Sequence, residues 1–582
     1  MNCDHSPGIS FHTSRRSFLR QVSIAAAMTQ FAAPGLTFPS AQSARAGSPP
    51  DLLPIPDYMT YATSPDGKII AILSEVRNGN VLARYSSDDG SNWGEPTPLF
   101  PLDISRGGWS LQNCFTDRDG ELQILGTLDN TPQHPQSIYE TRYDIWHFRS
   151  RDAQRSWNAP VLVWKGYAGS LLSFLQLRDG RVVVPFCYLT PRTWAKRGEG
   201  FDQFTYMGRF SSSAAYSDDN GQTWHISSNE LKEPTPEIGD DGGIEPIVLE
   251  LKTGRLWMLI RTQNGRFFES FSQDRGATWT HPLPTGISSS DSPCSLTRLH
   301  DGRVVMLWNN TLRYPYANGG RAILHGAISE DDGKTWRGYR EVAANPYAIE
   351  PPPPNGDHGV TYTVPALTAS GKLITSLSTG HGNDTLLLRV DPEWLYETKR
   401  EDDFSRALNG WTSIGTRGVA LEAHPDNPNR RVLALRKPDP EWPAGAVWNF
   451  PAGKHGQLSM RLRLARDFAG ALVGITDHFS VPFDEQDRFC NIFNLDIGPG
   501  GALAEGGKIT PGQWGELAFK WDCESQRQCS VTVNGRPVAR LYMKRETPGP
   551  SYLRLRSTAL GQDSGGLRVE SVVADVSASW TT

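Results

Sequence analysis

An eight-residue turn is written five times along this chain, and that repetition limits the fold more than any other feature. The copies are "SSDDGSNW" (86–93), "SRDAQRSW" (150–157), "SDDNGQTW" (217–224), "SQDRGATW" (272–279) and "SEDDGKTW" (329–336). They reduce to S-x-D-x-G-x-T-W, with the second copy degraded to Gln154 and Ser156. Ser and Asp side chains hold the backbone N–H groups of such a turn, Gly supplies a positive φ, and Trp packs back into the layer beneath. The tryptophans recur at intervals of 64, 67, 55 and 57 residues. That period suits one four-stranded sheet plus loops per unit, and it is long for a solenoid.

Strand signals recur in step with the turns: "KIIAILSEV", "ELQILGTL", "RVVVPFCYL", "RLWMLIRT", "RVVMLWNN" and "KLITSLST". Most follow Asp-Gly or a similar turn, as in "SPDGKII" and "LHDGRVV". Six such strands against five turns predict six repeats. A closed ring is how such sheets avoid exposed edges, so residues 47–398 read as a β-propeller. Six blades fit this length better than seven. Eighteen Trp and 56 Gly agree with an all-β chain of many tight connections.

The texture changes beyond Leu395. Alternating strands such as "LSMRLRLA", "ELAFKWD", "CSVTVNG" and "YLRLRS" appear without further turns of the repeated kind. Residues 399–582 read as a two-sheet β-sandwich, similar to laminin-G or legume-lectin-like jelly rolls. Its role is open between carbohydrate binding and packing on the propeller.

The first 46 residues read as an export signal. Arg15-Arg16 precedes a mildly apolar run, and Ala44-Arg45-Ala46 offers small residues where a signal peptidase cuts. This resembles a twin-arginine signal, which implies a bacterial protein exported to the periplasm or beyond. No later run approaches the ~20 apolar residues of a membrane span. A net charge of −5 with interspersed signs gives no footing for nucleic acid. Cys523 and Cys529 flank "ESQRQ" and read either as a hairpin disulfide or as free buried thiols. No zinc spacing is present, no organic cofactor is implied, and a structural Ca²⁺ would leave no signature.

The repeated turn resembles the Asp-box of the sialidase superfamily, and the resemblance continues between residues 239 and 386. "DDGGIEPIVLELKTGRLWMLIRT" is similar to the segment in which a glutamate opens one strand and an arginine closes the next. The resemblance implies Glu245 as the residue that activates the nucleophile and Arg261 as a ligand of the substrate carboxylate. "GGRAILHGAISEDDGKTW" puts Arg321 at the position of another such arginine, and "GVTYTVPAL" puts Tyr362 at that of the nucleophile. The chemistry is coherent: a phenol needs a neighbouring carboxylate to attack, and a planar guanidinium suits a sugar acid.

The N-terminal half departs from that pattern. The stretch "IPDYMTYATSPDG" holds no arginine where the superfamily has its first, and Arg77-Asn78-Gly79-Asn80-Val81 holds no acid where a general acid is expected. Arg77 and Arg106 are candidates for the missing arginine, and Asp103 for the acid. The same region is rich in His, Tyr and Arg: Tyr143, His147, Tyr167, Tyr188, Arg192 and Arg209. These residue types suit a uronate lyase, in which arginine neutralises the carboxylate while His or Tyr moves the proton. The segments resemble propellers that remove a rhamnose cap from glucuronate by β-elimination, which implies roles for His147, Tyr167 and Arg192.

Three functions follow as expectations. The first is an exo-acting, sialidase-like glycosidase on terminal acidic sugars, using Tyr362, Glu245, Arg261 and Arg321. The second is a polysaccharide lyase on uronic-acid glycans. The third is a carbohydrate-binding propeller without turnover. All three imply a glycan partner.

Overall fold

A computed structural model describes residues 47–105, 107–132, 142–190, 209–232, 242–312, 320–345, 359–378, 385–504 and 506–577. The expected export signal at 1–46, together with Arg106 and Arg192, lies outside the described residues.

Antiparallel pairing of consecutive strands builds five sheets from residues 59 to 344, in chain order. Their first strands are Met59–Thr63, Trp109–Thr116, Leu175–Gln176, Ile244–Glu250 and Ser295–Arg298. The sixth sheet pairs Ala366–Leu367, Leu373–Ser378 and Thr385–Val390, and its outermost strand is Asp51–Pro54 from the other end of the domain. Asp51 faces Arg389 in that pair, so the start of the chain zips shut the last blade.

Each first-to-second strand turn carries a glycine in left-handed backbone, from Gly67 at φ 84° to Gly371 at φ 85°. That requirement is why "DG" and its variants recur at this point. The second strands are buried on both faces, as in Ile69–Leu73 and Val304–Trp308, so they read as continuous apolar runs.

Six separate apolar clusters each straddle two consecutive blades. One joins blades one and two, and the next four join successive pairs. The sixth packs Tyr61 and Ile69 of blade one against Ala366 and Ile374 of blade six. The ring therefore closes, each of the six sheets packing on both of its neighbours.

The Asp-boxes lie between third and fourth strands. In the last copy Ser329 Oγ donates to Asp331 Oδ1 at 2.9 Å, and the amides of Gly333 and Thr335 donate back to Ser329 Oγ and Asp331 Oδ1, both at 2.8 Å. Trp336 Nε1 closes on the Gly333 carbonyl at 3.0 Å. Because the strands alternate in direction, the boxes share one rim with the first-to-second strand turns. The opposite rim holds the starts of the first strands and the ends of the second.

The C-terminal region is two sheets over one core. One sheet has eight strands, among them His455–Leu464, Trp514–Asp522 and Asp563–Asp575; the other has five, among them Gly445–Asn449, Ala471–Thr476 and Tyr552–Ser557. His455–Leu464 alternates buried and accessible residues along its length, as a strand with one face on a core must. Trp448, Phe450, Phe493 and Phe519 fill the space between the sheets. Cys523 and Cys529 are both free thiols buried at its edge. Propeller and sandwich belong to one compact unit, residues 46–582.

Candidate active site

The rim opposite the boxes gathers four of the expected residues. Glu245 stands at the start of Ile244–Glu250, Arg261 at the end of Leu256–Arg261, and Arg321 just before Ile323–Ser329. Tyr362 lies ahead of the first strand of blade six. Arg261 is their common partner. Its Nη1 donates to Glu245 Oε2 at 2.6 Å and to the Tyr362 hydroxyl at 3.1 Å. Arg321 Nη2 reaches the same hydroxyl at 3.5 Å, with its guanidinium 5.1 Å from the centre of the Tyr362 ring.

Backbone conformation directs two of these side chains. Glu245 has φ 48° and Tyr362 φ 59°, left-handed values that cost a side-chain-bearing residue of order 1 kcal/mol or more. In Glu245 the departure coincides with a break in strand register between Ile244 and Ile247. The bulge turns the carboxylate out of the sheet and toward Arg261.

Asp291, which carries no recognisable motif, organises the two arginines. Its Oδ1 accepts from Arg261 Nε at 2.7 Å, and its main-chain carbonyl accepts from Arg321 Nη2 at 2.8 Å. Gln263 Nε2 holds the other carboxylate oxygen at 3.1 Å. Burial works against the Arg261 charge, but Glu245, Tyr362 and Asp291 hold it protonated well above the ordinary guanidinium value. Burial, with Glu245 beside it, pushes the Tyr362 phenol above its ordinary value, while Arg261 and Arg321 pull the other way. The phenol is therefore protonated near neutrality and needs a base to act as a nucleophile.

A cavity of 960 Å³ opens over Tyr362, walled by residues of blades one, two and six and by Ser170 and Leu172 on the way into blade three. Tyr58 stands where an arginine is absent from "IPDYM"; its hydroxyl donates to the Tyr362 carbonyl at 3.4 Å. It is 39% exposed and lines the cavity. Arg77 also lines the cavity, its Nη2 bound to Asp57 Oδ1 at 2.6 Å. Arg84 Nε takes the other oxygen of Asp57 at 3.0 Å. Glu75 lines the same cavity, is exposed to it, and forms no ion pair among the described residues. Neither Asp291 nor Glu75 stands out in the sequence; only the fold brings them to the rim.

The second set of expected residues is dispersed. His147 is 2% exposed and bonded through Nε2 to Gln123 Oε1 at 3.0 Å, with its ring 5.3 Å from Trp224. Burial pushes it down to about 4. Gly221 of the third box sits so close that a Cβ there would meet the imidazole at 2.0 Å. His147 is thus a neutral support beneath a box, on the rim away from Tyr362. Tyr167, by contrast, packs on Phe210 and Tyr143 near Glu245. Arg192 lies outside the described residues, and of the Arg209 side chain nothing is described. Among the described residues no group of three or more His, Cys, Asp or Glu assembles as a metal site.

Comparison with family models agrees with the repeats of the scaffold. Residues 113–375 match the family model described as a BNR repeat-like domain. A protein of unknown function from Dyadobacter fermentans is 15% identical, with 59% of this chain and 97% of that one covered, at a TM-score of 0.43. Trypanosoma rangeli sialidase in complex with sialic acid is 15% identical, with 89% and 90% covered, at a TM-score of 0.39. Residues 113–375 are thus similar to a BNR repeat-like domain, and the fold that holds them is a β-propeller of six sheets.

Proposed function

We propose that this protein is a retaining exo-glycosidase that removes a terminal sugar bearing a carboxylate from a glycan. The observation that carries this reading is the hydroxyl of Tyr362, a residue that lines the cavity, 3.1 Å from Arg261 Nη1, the nitrogen that also holds Glu245. Arg261 and Arg321 supply the positive charge that a sugar carboxylate needs. Arg77, tied to Asp57, contributes to the cavity wall rather than to that pair.

In the first step Tyr362 Oη attacks the anomeric carbon as the bond to the leaving oxygen breaks. The phenol proton passes to Glu245, and Glu75 protonates the departing oxygen. Water then attacks the glycosyl–tyrosine, with Glu75 taking its proton and the tyrosine oxygen recovering one from Glu245. A neutral tyrosine rather than a carboxylate as nucleophile suits an anomeric centre next to a negative group, because it avoids like-charge repulsion.

No helix among the described residues is long and apolar enough to cross a membrane. The Arg15-Arg16 segment supports an exported enzyme working on glycans in the periplasm or outside the cell.

The test is covalent trapping. A fluorinated glycosyl fluoride of a sugar acid should leave a glycosyl mass on the peptide that contains Tyr362, and aryl glycosides of terminal acidic sugars should be hydrolysed. Tyr362→Phe should lose turnover with its melting temperature retained. Wild-type-like turnover by that variant would overturn the reading. A product with the ultraviolet absorbance of a double bond conjugated to a carboxylate would replace hydrolysis by elimination.

A further inference from the structure

Among the contacts between sandwich and propeller, those of Asn310, in the loop after Val304–Trp308, lead toward the candidate site. The side-chain amide nitrogen, the main-chain carbonyl and the main-chain N–H of Asn310 are all hydrogen-bonded. Its Nδ2 donates to the Asp477 carbonyl at 2.8 Å, and its own carbonyl accepts the Phe479 N–H at 2.8 Å. Its N–H donates to His325 Nδ1 at 3.1 Å, and His325 Nε2 lies 2.6 Å from the Tyr552 hydroxyl. Asp477, Phe479 and Tyr552 all belong to the sandwich. Because Nδ1 accepts, the imidazole is the Nε2–H tautomer: Nε2 donates to Tyr552, and Tyr552 donates to Glu341 Oε1 at 2.6 Å.

The neighbouring residue carries the clamp into the candidate site. Asn309 Nδ2 donates to the carbonyls of Ile323 at 2.7 Å and Val360 at 3.0 Å. Val360 precedes Tyr362 by two residues, and its N–H donates to the Arg321 carbonyl at 3.1 Å. On the other side, the Asn309 carbonyl accepts the Ser290 N–H at 3.3 Å, next to Asp291, which holds Arg261 and Arg321. Asn309, Asn310 and His325 are each 1% exposed or less, so water cannot replace these bonds. Ala322, Ile323, Val447, Phe479, Val481 and Tyr552 seal the seam with an apolar cluster.

We propose that the sandwich is a positioning element for the site. Through Asn310 it fixes the loop that sets the left-handed backbone of Tyr362 and the placement of Arg261 and Arg321. This deepens the reading of Tyr362 as nucleophile, but its structural claim stands without it. A strained residue keeps its conformation only when the surrounding structure over-determines it, and Asn310 brings the sandwich into that surrounding structure. The loop then has two sheets behind it instead of one blade.

The experiment uses full-length protein labelled with fluorotyrosine, and the Tyr362 signal is assigned by its loss in Tyr362→Phe. Asn310→Ala and Tyr552→Phe are each compared with wild type by ¹⁹F NMR across a pH titration. The expected result is a moved Tyr362 resonance and a changed titration midpoint in both variants. On an acidic aryl glycoside, kcat should fall about tenfold to a hundredfold with KM little changed, because a misplaced nucleophile reacts slowly but substrate still binds. If Asn310→Ala does not fold, Tyr552→Phe, which keeps the ring, decides. A Tyr362 resonance and titration identical to wild type in a folded variant would overturn the proposal. A moved resonance in a protein that hydrolyses no sugar acid would sustain the positioning role and remove the glycosidase reading instead.

Discussion

Arg261 gives one nitrogen to both Glu245 and Tyr362, at 2.6 and 3.1 Å, while its Nε is held by Asp291 at 2.7 Å. The guanidinium is thus a wedge between two buried carboxylates, both at most 5% exposed. Removing its charge strands both of them. Arg261→Met should lower the unfolding free energy by about 3–5 kcal/mol, the usual cost of an uncompensated buried charge. Arg261→Lys keeps the charge but cannot serve Nε and Nη1 positions together, so it should retain more of the stability and still lose activity. Urea unfolding of both variants checks this; a Met variant as stable as wild type would refute the wedge.

The boxes should matter to stability and not to chemistry. Asp331 Oδ1 binds the Thr335 amide and Ser329 Oγ, and Oδ2 binds Thr335 Oγ1 at 2.6 Å. Burial alone would raise this carboxyl, but those hydrogen bonds hold it below its ordinary value, as they do for Asp219 and Asp274. Such a group stabilises fully above its unfolded pKa of about 3.9, and the contribution is lost as pH falls through the folded value. Asp331→Ala should cost about 1–3 kcal/mol at neutral pH and progressively less in acid. Melting curves at several pH values test the direction, and KM should not move.

Much of the scaffold is legible because it is local. A box needs Ser, Asp, Gly and Trp within eight residues, and a turn glycine such as Gly67 sits beside the strands it joins, so both leave a contiguous trace. Tyr362, Glu245, Arg261 and Arg321 are readable through resemblance, since they fall at fixed places on blades. Asp291 is not readable: "SSSDSPCS" has no periodicity, and its partners lie 30 residues away on either side in the chain. Glu75 is hidden for a related reason, being two residues before the stretch where an acid is expected. His147 misleads because a His on an alternating strand looks the same whether it faces a channel or, as here, the underside of Gly221. The Asn310 clamp joins residues 167 apart, beyond any sequence pattern.

A buried ionic chain behind that clamp should give the protein an alkaline sensitivity. His478 lies 2.9 Å from Asp477 Oδ1 and 3.3 Å from Asp487 Oδ1, and is fully buried. Burial opposes its charge, yet Asp487 and Asp477 raise it above the ordinary imidazole value. A raised pKa stabilises fully below the unfolded value of about 6.5 and is lost as pH climbs through the folded one. The stability gap between wild type and His478→Gln should therefore be widest below about pH 6.5 and narrow as the pH rises above it. Urea midpoints across that range measure it; a gap that widens with pH would contradict a charged His478.

Glu75 supplies the sharpest kinetic prediction. Asp57, the other carboxylate on the cavity wall, is bound by Arg77 and Arg84 and is not available to move a proton. Glu75 faces the cavity without an ion pair among the described residues. If it protonates the departing oxygen, its importance must scale with how poor the leaving group is. An alkoxide leaving from a sugar needs that proton, whereas a nitrophenolate departs readily without it. Glu75→Gln should lower kcat/KM on a natural disaccharide by about 10²–10⁴-fold, the usual contribution of general acid catalysis. On the nitrophenyl glycoside, formation of the glycosyl–tyrosine should be nearly as fast as in wild type. Its hydrolysis should be slow, because the same residue must then activate water, so an initial burst of nitrophenol followed by a slow phase is expected. Equal losses on both substrates, with no burst, would remove Glu75 from the reaction and return it to the cavity wall.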